Sequence, residues 1–216
     1  MIVFANHFGV LMATARQPRA ATSRAETEDA FLDAAERLLI DVGYAGITTR
    51  RLAEEAGANH GLVHYYFGSM EELFVRALER FTDRLIARQR AMYTADAPFI
   101  EKWRTAMHFL EEDLAAGYPK IWLELQALGW NRPDIRERVA RVNAEWRAVL
   151  TEALAKAMDE EGIDLGGFPL EAVVALVFTF NQGIELERLS GISDGHAQLL
   201  TSIDRWLATQ AKARPR

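Results

Sequence analysis

Residues 47–74 read ITTRRLAEEAGANHGLVHYYFGSMEELF, a stretch that resolves into short helices separated by glycine turns. Thr48 is placed to cap a helix whose Leu52, Ala53 and Ala56 share a face, and Gly57 supplies its stop. Asn59 is placed to cap the next helix, where Val63 and Phe67 lie four apart and face inward while His60, Gly61, His64 and Tyr65 share another face. Ser69 followed by Glu72 has the capping-box spacing and opens a longer helix with Leu73, Phe74, Ala77, Leu78, Phe81 and Leu85 on one stripe. Two short helices joined by a tight glycine turn make a helix-turn-helix, whose second helix enters the major groove of DNA. A helical hairpin inside any bundle gives the same local pattern, so spacing alone leaves both readings open.

Upstream, Ser23 and Glu26 form a first capping box, and Phe31, Ala34, Ala35, Leu38, Leu39 and Val42 recur at helical intervals until Gly43. Downstream, five further helices fit between Pro98, Gly117 with Pro119, Gly129 with Pro133, Gly162, the Gly166–Gly167–Pro169 cluster, and Gly191 with Gly195. No segment alternates like a strand and no repeat is present. The pattern predicts an all-α chain of about nine helices. It divides into an extension and arm (1–22), a three-helix DNA-binding domain (23–69) and a larger helical domain (70–216).

The 216 residues are 50% hydrophobic, enough for a sizeable core, and contain no cysteine, which fits a reducing cytoplasm and removes thiolate chemistry. The apolar stretch from Met1 to Ala13 lacks a basic start and falls short of the roughly 20 residues of a spanning helix, so no membrane association is expected. A chain starting at Met12 is expected to fold and bind DNA as the full chain does. Net charge is −6, and residues 1–67 hold six arginines against eight acids, so attraction for phosphate must come from charge placement.

The string from Ile47 to Phe74 resembles the N-terminal motif of the TetR family of regulators. The matches are Thr48, Thr49, Leu52, Ala53, Ala56, Gly57, Gly61, Val63, Tyr66, Phe67, Ser69, Glu71, Glu72 and Leu73. Ala58, Asn59, His64 and Met70 depart from the usual Val, Ser, Tyr and Lys, and Met70 cannot make a phosphate contact. Close likeness covers about residues 24–78.

The resemblance implies that Arg50 reads a base, since guanidinium bidentate to guanine is the commonest specific contact. It places His60 and Tyr65 at base edges and Thr49, His64 and Tyr66 on phosphates, with Thr48 and Asn59 at the helix starts and Gly61 letting the backbone approach. Arg16, Arg19 and Arg24 would reach DNA from the arm.

The same resemblance implies a homodimer on a double-stranded, near-palindromic operator, released by a small-molecule effector. The dimer would be sealed by Val173, Val177, Phe180 and Gly183 of the eighth helix and Leu199, Ile203 and Trp206 of the ninth. The eighth helix is apolar around nearly its whole circumference and so requires cover on more than one side. Trp103, Met107, Trp122, Trp146 and Phe178 would wall the effector site, with His108, Glu124, Gln126, Asn143 and Asn181 as polar contacts.

Other classes carry less. His60 and His64 have the four-residue spacing of zinc-binding helices, but Gly61 stands where the zincin glutamate would be and no third ligand is evident. Neither a metal nor a cofactor is therefore expected. Phosphate loops, nucleophile elbows and dinucleotide fingerprints are missing, so the chain does not read as an enzyme. A helical regulator controlled by a protein partner in place of a small ligand is the alternative.

Overall fold

The computed structural model describes residues 23–212, and among them it forms nine α-helices and no strand. These are α1 (Arg24–Val42), α2 (Thr49–Ala56), α3 (Gly61–Phe67), α4 (Met70–Thr94), α5 (Phe99–Ala116), α6 (Tyr118–Gly129), α7 (Pro133–Glu161), α8 (Leu170–Leu189) and α9 (His196–Lys212), with a single 3-10 turn at Tyr44–Gly46. The expectations for the Met12 start, Arg16 and Arg19 lie outside the described residues.

Local chemistry sets the helix starts. At α1, Ser23 Oγ accepts the Glu26 N–H at 3.2 Å while the Ser23 N–H donates to Glu26 Oε2 at 2.7 Å, a complete capping box. Thr48 Oγ1 accepts the Arg51 N–H at α2. Asn59 Oδ1 accepts the Gly61 N–H at 2.9 Å, so Asn59 closes the start of α3 although regular helix geometry begins two residues later. At α4 the reciprocal box expected from Ser69 and Glu72 forms only by half. Ser69 Oγ accepts the Glu72 N–H, but the Glu72 carboxylate is drawn away to the guanidinium of Arg138 on α7. A full positive charge outcompetes a neutral amide for that carboxylate.

Two apolar clusters organise the packing. The first gathers Phe31, Leu39, Leu52, Val63, Phe67 and Phe74 from α1 to α4 and also takes in Ile121 and Leu125 of α6 and Ile135 and Val139 of α7. Packing thus runs without a break past residue 69, because the short α2 and α3 offer too little apolar surface to close a core alone. The second cluster joins Phe99 and Trp103 of α5, Leu150, Leu154 and Ala157 of α7, Val174 of α8 and Leu207 of α9.

Arg80 of α4 fastens α1 electrostatically. Its guanidinium donates to Asp33 at 2.6 Å, to Glu36 at 2.8 Å and to Asp29 at 3.5 Å, and Arg84 adds a 2.6 Å contact to Glu36. Removing Arg80 would leave Asp29, Asp33 and Glu36 side by side with only Arg84 to answer them. Arg80→Met is expected to lower unfolding free energy by about 1–3 kcal/mol in denaturant titrations. The loss should shrink in concentrated salt, which screens the freed carboxylates.

Candidate DNA interface and internal cavity

Helix α3 is held from behind and open in front. Val63 and Phe67 are buried, with the Phe67 ring edge-on to Phe31 at 6.1 Å and under the Arg76 guanidinium at 4.9 Å. His60, Gly61, His64 and Tyr65 are exposed, Tyr65 by 70%, and Tyr66 is half-buried edge-on to Tyr65. The structure therefore brings the α3 residues singled out by sequence onto one solvent-facing surface, with Thr48, Thr49 and Arg50 at the start of α2 exposed or half-buried. Arg24, at the first position of α1, lies over the Tyr65 and Tyr66 rings at 5.9 and 5.5 Å. Met70 packs partly against the first cluster, as its missing charge allows.

Two details set the chemistry of this surface. Arg50 Nε donates to Glu54 at 2.9 Å, one turn along α2, so the guanidinium must leave that pair to meet a base. His64 Nδ1 lies 3.1 Å from the Gly68 carbonyl and donates to it, which leaves Nε2 facing outward. Among the described residues no three metal-ligating side chains converge, and this bond takes one of the two ring nitrogens of His64.

The acids of the first helices are largely neutralised by arginine. Besides the Arg80 and Arg84 contacts, Glu28 pairs with Arg24 and Arg76, Glu55 with Arg37 and Glu54 with Arg50. The guanidinium beside Glu28 holds its carboxyl below the usual carboxylate range. Three of these arginines, Arg76, Arg80 and Arg84, come from α4, beyond the stretch whose own acids outnumber its bases.

A cavity of about 230 Å³ lies among α4 to α9. Seven residues expected at a ligand site line it: Trp103, Met107, Trp122, Asn143, Trp146, Phe178 and Asn181. His108 does not; it points to solvent and pairs with Glu112 one turn on at 3.2 Å. Gln126 is absent from the lining, and Glu124 faces the other way, toward α1. Val173, Val177 and Ile203, expected at a dimer seam, line this cavity, and Trp206 borders it while staying 42% exposed. An all-round apolar helix gives no sign of which side faces inward. Sequence reading missed the lining carboxylates Asp113 and Glu185, each of which looks like an ordinary surface acid in its own helix.

Helix α6 joins the cavity to α1. Tyr118, Pro119 and Trp122 line the cavity, while Lys120 Nζ donates to the Ile40 carbonyl at 3.0 Å and the Glu124 carboxylate accepts the Tyr44 N–H. Glycines permit both contacts. A Cβ on Gly117 would stand 2.8 Å from Ile40 Cγ2, one on Gly43 would stand 2.5 Å from Glu124 Oε1, and both glycines have positive φ. Helix α4 is a second link: Leu73, Phe74 and Leu78 lie in the first cluster, and Leu85, Gln89 and Tyr93 farther along line the cavity.

The family model of the tetR family of bacterial regulatory proteins matches residues 31–77, from the middle of α1 into α4. The chain is 36% identical over 144 residues to the HTH-type transcriptional regulator BetI of Rhizobium meliloti, a match covering 63% of this chain and 70% of that protein. It is 32% identical over 111 residues to BetI 1 of Chromohalobacter salexigens, covering 49% of this chain but only 54% of that relative's length. Two solved structures share the fold at lower identity. A regulator from Saccharomonospora viridis in complex with choline superposes with a TM-score of 0.69 at 18% identity, over 88% of this chain and 98% of that one. FadR of Bacillus subtilis in complex with stearoyl-CoA does so with a TM-score of 0.67 at 15% identity, over 87% and 99%. With the helix-turn-helix match, the all-helical fold and the 36% identity over most of a relative's length, the chain belongs to the TetR family of bacterial regulatory proteins.

Proposed function

We propose that the protein is a dimeric transcriptional repressor that holds a near-palindromic operator through paired α3 helices and releases it when a small molecule occupies the cavity. The observation that carries this reading is α6, which has one face on the cavity and the other bonded to the end of α1. An occupant that displaces Trp122 or Tyr118 must move the helix that holds α1, and α1 carries α2 and α3 through the first cluster. Reading takes place in the cytoplasm, where the operator lies, and no described helix is long and apolar enough to cross a membrane.

Two copies are required because one α3 reaches only a short half-site, and paired recognition helices must sit about 34–36 Å apart to enter successive major grooves. The seam we infer is the exposed face of α8 and α9. Leu176 and Leu186 are 67% and 56% exposed on α8, on the side of Gly183, where a Cβ would meet nothing within 4 Å; Leu199 and Trp206 are exposed on α9. Phe180 flanks this face while packing partly on the second cluster. These side chains form the kind of apolar patch that a symmetric partner covers.

At the DNA, Arg50 reads a guanine after leaving Glu54, His60 and Tyr65 approach base edges, and Thr49, His64 and Tyr66 fix the register on phosphates, with Gly61 allowing close approach. Arg24 adds a phosphate contact beside Tyr65.

Choline and stearoyl-CoA, held by two structural neighbours, have little chemistry in common. The ligand class of this chain therefore has to be read from its own cavity.

Arg50→Ala is expected to weaken operator binding by about 1–3 kcal/mol while changing binding to random DNA far less. Equal losses on both DNAs would make Arg50 a phosphate contact. Leu176→Glu combined with Leu186→Glu is expected to give monomers in sedimentation and to abolish tight operator binding; dimers that persist would place the seam elsewhere. For an effector found by screening, the parent should show operator release worth about 1–3 kcal/mol. Glu124→Ala should keep effector binding while losing most of that release, and undiminished coupling would remove α6 from the route.

A further inference from the structure

The polar groups of the cavity are biased in sign. Its charged lining residues are two acids, Asp113 of α5 and Glu185 of α8, and among the described residues no lysine or arginine lines it. Asp113 is held by Arg88 of α4, whose Nη2 donates to Oδ2 at 2.5 Å and whose guanidinium lies 4.2 Å over the Phe109 ring. That contact leaves Asp113 Oδ1 buried without a hydrogen-bond partner, and Asn181 Oδ1 is buried in the same condition. Glu185 enters no hydrogen bond or ion pair among the described residues. Among the described residues the other cations of the surrounding helices stand outside the lining, Arg147 against one of its rings. Arg188 of α8 pairs with Glu111 at 2.5 Å, Arg147 of α7 lies over the Phe178 ring at 4.7 Å, and Lys102 of α5 is buried away from the lining.

One arginine therefore answers two carboxylates, and the site carries one negative charge in excess when both are ionised. The walls around it are the rings of Tyr93, Trp103, Trp122, Trp146 and Phe178. Aromatic faces attract cations through their quadrupole, most strongly where water is excluded, and the unpartnered oxygens of Asp113 and Asn181 are acceptors that a donor or a positive group would satisfy. Among the described residues, an anion here would meet two carboxylates and no lysine or arginine on the lining.

We propose that the cavity takes an organic monocation with an apolar body, an amine or quaternary ammonium, whose charge is set against Glu185 while its hydrocarbon lies on the tryptophan walls. This rests on the reading of the cavity as the effector site and narrows it to one class of ligand. Burial and the neighbouring Asp113 push the Glu185 carboxyl up to about 7. A cation seated beside it favours the ionised form, so binding in mildly acidic solution expels a proton from Glu185, whereas a neutral ligand of the same shape leaves it in place.

The test uses the full chain and three probes of similar size: 4-hydroxyphenyltrimethylammonium, its uncharged carbon isostere 4-tert-butylphenol, and the anion 4-tert-butylbenzoate. Calorimetry at about pH 7.4, where the phenol of the cation stays largely protonated, is expected to show the cation bound at least about tenfold more tightly than the isostere, with the anion weakest. At about pH 6.5, titrations in two buffers of different ionisation enthalpy should reveal proton release for the cation alone. Glu185→Gln, which keeps the side chain's shape, should retain 4-tert-butylphenol binding while losing both the cation preference and the proton release.

Equal binding of cation and isostere by the parent, or a preference for the anion, overturns the charge assignment and leaves the effector reading standing. So does an undiminished preference in Glu185→Gln. Failure of all three probes to bind overturns the assignment together with the effector reading. The comparison within the parent decides the matter even if the variant does not fold.

Discussion

A carboxylate on α6 closes the end of α1: Glu124 accepts the Tyr44 N–H just past the helix, and Lys120, one turn earlier, donates to the Ile40 carbonyl inside it. The last carbonyls of a helix have no intrahelical partners, so whatever meets them, and holds the turn just beyond, helps to fix where the helix points. Here the supply comes from a helix whose other face borders the cavity. Gly43 and Gly117 suit this junction because both have positive φ, and a side chain on Gly117 would strike Ile40 while one on Gly43 would displace the Glu124 carboxylate. Helix α2 rests on α1 and α3 on α4, while α1 itself is held between α4 and α6.

Electrostatics complements this. A chain with a net charge of −6 can meet a polyanion only if its acids are kept from facing it. The α1 acids Asp29, Asp33 and Glu36 are drawn to Arg80 and Arg84 on the packing side of α4. The outward surface carries Arg24, Arg50, His60, His64 and the tyrosines of α3, with the exposed Glu54 paired to Arg50. The same contacts bind α1 to α4, so the grip between these helices and the charge of the DNA-facing surface are set by one group of arginines.

Much of this was legible in the sequence because it is local. Caps act over three residues and apolar stripes over one helix, which is why Ser23, Thr48, Asn59 and the run from Leu73 to Leu85 announce α1 to α4. Illegible were the features that depend on a partner far along the chain. Glu72 has the spacing of a capping box, yet its carboxylate answers Arg138, 66 residues away. His108 of α5 and Glu185 of α8 are both polar residues in largely apolar helices, and only the packing shows that one faces solvent while the other lines the cavity. Period gives α8 no inner side, since it is apolar almost all round. Val173 and Val177 therefore border the cavity and Val174 is buried in the second cluster, while Leu176 and Leu186 stand outward.

The cavity also bears on stability. It lies between the cluster that carries the DNA-facing helices and the cluster near α9, and residues of both line it, Phe81 and Trp122 of the first and Trp103 and Leu207 of the second. Empty apolar space costs about 24 cal/mol per Å³, so a dry void of this size would amount to roughly 5 kcal/mol, with less where water enters. A well-packed helical protein gains nothing from such a gap, least of all one with an unpaired glutamate on its wall. An occupant that restores packing and meets that charge favours whichever arrangement of α4 and α6 fits it best. Because those two helices also position α1, the free energy of filling the cavity and the free energy of holding DNA are drawn from the same contacts, which is the condition for one site to bias the other.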